Sequence, residues 1–188
     1  MRKNFGSKPA VYPMPVFILG TYDENGVPNA MNAAWGGITE ENEITVCVSE
    51  DHKTTANFLT RGAFTVSIPD AKNVTAADYV GIVSGNDTPD KISLAGWHAE
   101  KSEFVDAPLF IELPMTLECK VKSYDAESCR LVGEIINLSA DEEILGDDGK
   151  ISLDKFRPIT YDPIGHTYRT LSNPVGKAFC DGLKIKNK

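Results

Sequence analysis

The sequence has no Cys-x-x-Cys pair, and its four cysteines, Cys47, Cys119, Cys129 and Cys180, stand far apart. That spacing argues against a zinc site and offers no disulfide framework, so four reduced thiols are expected. None sits in an evident cationic or helix N-terminal setting that would lower its pKa, and each reads as a small packing residue rather than a nucleophile. No window of about 18 apolar residues offers a membrane span, and the opening MRKNFGSKPAVYPMPV lacks the apolar segment of a signal peptide. A cytoplasmic location with no membrane contact is the resulting expectation. Positive charge is also scarce. Nineteen Lys and Arg against 27 Asp and Glu leave a net charge of −8, a field that repels a phosphate backbone and argues against nucleic acid as a partner. Neither G-x-G-x-x-G after a strand nor G-x-x-x-x-G-K-[ST] occurs, so any cofactor must bind without a Rossmann unit or a P-loop.

What is present is ordinary globular composition: 188 residues, 41% hydrophobic and 24% charged, enough for one domain over residues 1–188 with its own core. PVFILGTYDENGVPNAMNAAWGG holds two apolar runs around Asn25-Gly26, a dipeptide favoured where both central turn residues take positive φ, and predicts a β-hairpin. NEITVCVSE (42–50) and GAFTVSIPD (62–70) read as buried strands. Between them, DHKTTANFLTRG reads as a short helix ended by Gly62. Val74, Ala77, Asp78 and Gly81 recur at helical spacing, which predicts a helix over 73–87 with Thr75 as a cap. Residues 85–108 form a long excursion with a short helix at Lys91 to Leu94. Alternation at Leu117, Cys119, Val121 and again at Leu131, Gly133, Ile135, about a turn at Asp125 to Ser128, predicts antiparallel strands. A Gly-Asp-Asp-Gly turn, a short helix or turn at Leu153 to Phe156, a strand at Ile164 to Leu171 and a frayed polar tail from Lys184 complete the chain. Six or seven strands without β-α-β alternation indicate a small antiparallel barrel.

Two stretches invite chemistry. In PNAMNAAWGG, the small residues Ala30, Ala33, Ala34, Gly36 and Gly37 would let a flat ligand reach main-chain groups, with Asn29 and Asn32 adding amides. A close packing contact around Trp35 accounts for them equally well. In VSEDHKTTANF, Ser49, His52, Lys53, Thr54 and Thr55 lie where a strand feeds a helix start, the combination of hydroxyls, cation and free N–H groups that a phosphate requires. A bare cap with solvated charges is the alternative.

The order of PVFILGTYDENGVPNAMNAAWGG, VCVSEDHKTTANFLTRGAFTVSIP, VSGNDTPDKISLAGW, LPMTLECKV and GEIINLSAD resembles the flavin reductase-like family, in particular its flavoredoxin-like branch. The resemblance implies a mainly β, FMN-binding split antiparallel β-barrel with short inserted helices, forming a homodimer with flavin sites near the subunit interface. It implies that Asn29, Ala30, Met31, Asn32, Ala33, Ala34 and Trp35 run along the flavin ring and ribityl chain. Cys47, Val48, Ser49, His52, Lys53 and Thr54 would lie at the ribityl-phosphate. The resemblance also brings His166 and Tyr168 toward the flavin or the dimer partner, with structural packing as the alternative, and lets Trp97 and His98 cover the flavin or a substrate pocket, with a Trp that pins the excursion to the barrel as the alternative. NAD(P)H is the implied donor, and a flavin or a redox protein the acceptor. A flavoredoxin-type carrier with a protein partner and little NAD(P)H turnover is the alternative. The flavin carries the redox chemistry, so neither a catalytic side chain nor a metal is implied. An aromatic often follows the Lys of the family's Ser-Gly…Lys pattern, whereas Ile92 follows Lys91 here.

Overall fold

The computed structural model describes residues 1–186. Twelve strands, five short α-helices and one 3-10 helix (Glu142–Ile144) occur among them. The hairpin forms where the sequence places it, from β2 (Phe17–Tyr22) and β3 (Pro28–Ala33), with Phe17 opposite Ala33 and Tyr22 opposite Pro28. Its turn differs from the two-residue form that Asn-Gly suggests. Only Gly26 has positive φ, +80°, because the Asp23 carboxylate accepts the N–H groups of Asn25 (2.9 Å) and Val27 (2.8 Å) and closes a longer turn.

The main sheet has seven strands in the order β3-β2-β6-β9-β10-β5-β4. Besides the hairpin these are β4 (Gly36–Glu40), β5 (Glu43–Cys47), β6 (Ala63–Ser67), β9 (Met115–Asp125) and β10 (Arg130–Ala140). Every pairing is antiparallel. β3 and β4 occupy opposite margins, yet only Ala34 and Trp35 join them. A flat seven-stranded sheet would be about 29 Å wide at ~4.8 Å per strand, whereas that link reaches about 11 Å. The sheet is therefore curled until its margins approach. Gly36 marks the closure: a Cβ there would lie 2.5 Å from the Thr45 carbonyl and 3.2 Å from the Phe17 ring. The result is a split β-barrel.

The barrel interior holds Leu19, Val46, Phe64, Val66 and Leu131. α1 (Lys53–Arg61) adds Phe58 to it and ends at Gly62, φ +67°, whose N–H reaches the Phe58 carbonyl at 2.8 Å. A second core lies on the sheet's other side, where Ile18 and Ala30 meet α2 (Val74–Ile82), α3 (Lys91–Leu94), Trp97 and Phe110. α2 begins after Asn73 rather than at a Thr75 cap and ends at Ile82, short of the expected 87. Lys91 limits it. Its ammonium reaches in to the carbonyls of Val80 (3.3 Å) and Val83 (2.9 Å), holding the chain where it turns into Ser84-Gly85. Burial lowers the Lys91 pKa to about 8.

The excursion contains strands that its composition hides: β7 (Ala99–Lys101) pairs with β8 (Pro108–Phe110). A separate three-stranded sheet joins β1 (Met14–Pro15), β11 (Ile159–Asp162) and β12 (Thr167–Thr170) in the order β1-β11-β12. The strand expected over Ile164 to Leu171 is thus shorter, because the Asp162 carboxylate accepts the Ile164 and Gly165 N–H groups, each at 3.0 Å, and forms a turn. α4 (Leu153–Phe156) lies where expected. The tail is a helical turn, α5 (Leu183–Lys186), rather than frayed from Lys184, and residues 187–188 of that tail lie outside the described residues. All four cysteines are free.

Candidate functional site

β3 is a marginal strand. Among the described residues it pairs only with β2, so its second row of N–H and C=O groups faces away from the sheet. The small side chains along it are taken up by the protein's own packing. Ala30 lies under α2 with Ala77 and Val80, Ala33 faces the barrel core, and Met31 packs against that core. What Ala30 and Ala33 make room for is helix and core, and what β3 offers outward is main chain together with Asn32, Ala34 and Trp35.

Those three residues line a cleft of about 440 Å³ with Asp78, Gly81 and Ile82 of α2 and with Tyr161, His166 and Tyr168 of the β11–β12 hairpin. α2 comes this near because residue 81 is glycine: a Cβ would lie 2.8 Å from that of Asn32. The Asn32 amide donates to the Ala77 carbonyl at 3.0 Å. Tyr168 donates its hydroxyl to Asp78 Oδ1 at 2.8 Å, tying the hairpin to the helix. Burial and then that carboxylate raise the Tyr168 pKa to about 12. His166, at φ +51°, places Nδ1 2.9 Å from the Tyr161 hydroxyl. Trp35 is 58% exposed and rims the cleft, with its carbonyl accepting the Cys47 N–H at 2.8 Å.

Six residues back along β3 the surroundings are reversed. Asn29 is 5% exposed. Its Nδ2 donates to Thr54 Oγ1 at 2.9 Å, while its Oδ1 is buried with no partner. Turning the amide by 180° would let the Thr54 hydroxyl donate to Oδ1 and leave Nδ2 free instead, so one polar atom stays unpaired in either orientation. Gly85 stands beside that atom, and a Cβ there would lie 2.2 Å from Oδ1 and 3.5 Å from Lys53 Cγ. Lys53 begins α1, whose N-cap His52 makes no side-chain capping bond. The Lys53 ammonium is not free: it lies 3.7 Å from both Asp23 and Glu24. Backbone N–H bonds, aided by Lys53, hold the Asp23 carboxyl below its usual range against the opposing effect of burial. Thr54 is 1% exposed, and Thr55 donates to the Ser49 carbonyl at 2.7 Å.

The residues anticipated in sequence therefore divide. Asn32, Ala34 and Trp35 meet at the cleft; Asn29, His52, Lys53 and Thr54 meet at the α1 start, with Ser49 anchoring it. Val48 is buried in the barrel core, and Cys47 contributes its main-chain bond to Trp35. Trp97 pins the excursion, packing on Phe110 and donating to Asn73 Oδ1 at 3.3 Å. His98 is exposed and meets Glu112 at 2.7 Å, away from the cleft. Asp78, Gly81, Ile82 and Tyr161 were missed as site residues. The available signal was Asp78, a charge at the same helical spacing as Val74, Ala77 and Gly81.

Residues 9–167 match the flavin reductase like domain family. Flavoredoxin of Desulfovibrio vulgaris (Miyazaki F) is similar in structure, with a TM-score of 0.92, 37% identity and coverage of 97% of this chain and 100% of that one. Flavoredoxin from Methanosarcina acetivorans gives 0.85 and 27%, with 98% of each chain covered. An FMN-binding domain of a flavin reductases-like enzyme from Shewanella baltica shares the fold at 0.78 and 20%, covering 87% of this chain and 88% of that one.

Proposed function

The chain belongs to the flavin reductase like domain family, and we propose that it is an FMN-binding oxidoreductase that passes electrons from NAD(P)H to a flavin or another acceptor. We place it in the cytoplasm as a homodimer of single-domain chains. The observation that carries the cofactor is the course of β3. Its outward main-chain row runs from a buried, half-satisfied amide at Asn29, beside the start of α1, to an aromatic cleft at Trp35. An elongated ligand with a flat ring at one end and a polar chain at the other suits both ends. A cleft of about 440 Å³ is within the range of small-ligand sites.

In this reading Asn32, Ala34 and Trp35 flank the ring, and the β3 main chain supplies its hydrogen bonds. The unpaired Asn29 atom and the first N–H groups of α1 receive the polar chain and phosphate, with Ser49, His52, Lys53 and Thr54 around them. FMN, when bound, supplies the capacity to accept a pair of electrons and release them. The chain itself orients the group and sets the field around it. The Tyr168–Asp78 bond holds the cleft wall, keeps the phenol protonated and leaves a carboxylate beside the ring position. No side chain is assigned a proton transfer.

The similarity to two flavoredoxins favours a second reading, an electron carrier that retains FMN and serves a protein partner with little NAD(P)H turnover. Anaerobic spectra separate the two. Rapid bleaching of bound flavin by NADH or NADPH supports the reductase; bleaching only by another donor supports the carrier. A folded protein that takes up no FMN contradicts both.

A further inference from the structure

Two side chains on the cleft wall are left without a role by the proposed flavin site. Tyr161 and Tyr168 stand directly opposite each other on β11 and β12, with ring centroids 6.1 Å apart, and both line the cleft. The Tyr168 hydroxyl is committed to Asp78. Tyr161 meets His166 instead, whose Nδ1 lies 2.9 Å from its hydroxyl. That bond uses a single proton, whereas a phenol and a neutral imidazole bring one each. If the phenol donates, the imidazole carries its proton on Nε2; if Nδ1 donates, the phenolic O–H is released. One donor is left over in either arrangement. His166 holds this place at φ +51°, a left-handed conformation that is uncommon outside glycine and is found where the surrounding structure imposes it. Here the turn closed by Asp162 imposes it, through the Ile164 and Gly165 N–H groups.

The surroundings define what that donor meets. Ile82 is 75% exposed on the α2 side of the cleft, and with the two phenol rings it offers apolar and π surface to a flat ring. Apart from His166, Asp78 is the only ionisable group besides the tyrosines among the described residues that line the cleft, and its carboxylate disfavours an anion. A flat, neutral molecule with a hydrogen-bond-accepting oxygen is what this wall selects. We propose that the hairpin side of the cleft takes a neutral quinone as the electron acceptor, one quinone oxygen receiving the spare proton of the Tyr161–His166 pair in a hydrogen bond and the ring lying against Ile82 and the tyrosines. The assignment rests on the reductase reading, with the flavin on the β3 side. The overall change balances: NAD(P)H gives up a hydride and leaves as NAD(P)+, solvent supplies one proton, and both quinone C=O groups become C–OH.

Equilibrium dialysis of the full-length, FMN-loaded chain against duroquinone tests it, with durene as the control. Duroquinone is methylated at every free ring carbon, so the exposed thiols of Cys47 and Cys180 do not add to it, and durene has the same methyl groups without the oxygens. Tyr161→Phe combined with His166→Phe removes both donors and is expected to weaken duroquinone binding about tenfold while durene binding stays as in wild type. Each single variant keeps one donor and should lose less. Tyr161→Phe combined with His166→Gly, which suits the left-handed position, should lose duroquinone by the same margin. Circular dichroism confirms folding, and FMN titration of the same samples reads the cofactor separately. Wild type given NADH or NADPH should convert duroquinone to its hydroquinone. Unchanged duroquinone affinity in both double variants, or equal loss of the two probes, would overturn the site. Bound FMN that NAD(P)H bleaches, with no hydroquinone formed, would overturn the acceptor and leave the reductase standing, and a folded chain that takes up no FMN would remove both.

Discussion

β3 ends in two different environments. At Asn29 the strand is buried in a closed polar set: Asn29 bonds Thr54, Asn57 bonds Thr21, and Lys53 sits between two carboxylates. Toward Trp35 the chain opens into an aromatic cleft held by the Tyr168–Asp78 and Asn32–Ala77 bonds. A closed set with one unpaired atom discriminates, because only a ligand group that completes it is welcome. An open aromatic cleft supplies contact area and depends on whatever covers it. The first end is suited to anchoring a ligand, the second to exchanging with a further substrate.

Both ends rest on barrel closure, so the largest effect is expected from Gly36→Ala. Its Cβ would meet main-chain atoms of β5, which cannot move aside, and a stability loss of about 2–3 kcal/mol should appear in urea unfolding. Ala33→Leu, aimed at the packed side of the same strand, should cost about 1–3 kcal/mol of stability by overpacking. Wild-type unfolding of that variant would show that the side chain faces a space for ligand.

The anchoring end is tested by Asn29→Ala, expected to weaken FMN binding about tenfold or more while the fold remains, since removal of one buried partner costs roughly 1–3 kcal/mol. Fluorescence titration measures it. Lys53→Ala should do less, under about 1 kcal/mol, because its charge is already shared with Asp23 and Glu24 in a partly exposed pair. A larger loss than from Asn29→Ala would reverse the ranking of the two groups.

At the open end the smallest effect is a titration. Tyr168 should ionise near 12, above the ordinary phenol value of about 10, and Asp78→Asn should bring it down. The sign follows from linkage. Stability that Tyr168 contributes through its raised pKa is fully present below the unfolded value and is lost as pH climbs through the folded one. Absorbance of the phenolate in wild type and Tyr168→Phe isolates this residue.

Much of this arrangement was legible in the sequence, and the failures share a cause. The hairpin, α1 with its Gly62 stop, and the β9–β10 pair carry their own periodicity or punctuation. β4 is mostly exposed and begins Gly-Gly, so it lacks alternation. β7, β8 and β11 are three or four residues long and exist through pairings to other segments. The same holds for the site. Asn32, Ala34 and Trp35 were visible as one stretch, whereas Asp78 and Tyr161 join them only through packing of α2 and the β11–β12 hairpin. Smallness at Ala30 and Ala33 was ambiguous because a close helix and a flat ligand make the same demand on side-chain volume.

FMN titration of the purified chain, followed by flavin fluorescence and repeated on Asn29→Ala, tests the central claim most directly. Saturation at one FMN per chain, weakened by the substitution in a protein that stays folded, is the predicted result. Folded wild-type protein that leaves the fluorescence of added FMN unchanged would contradict it.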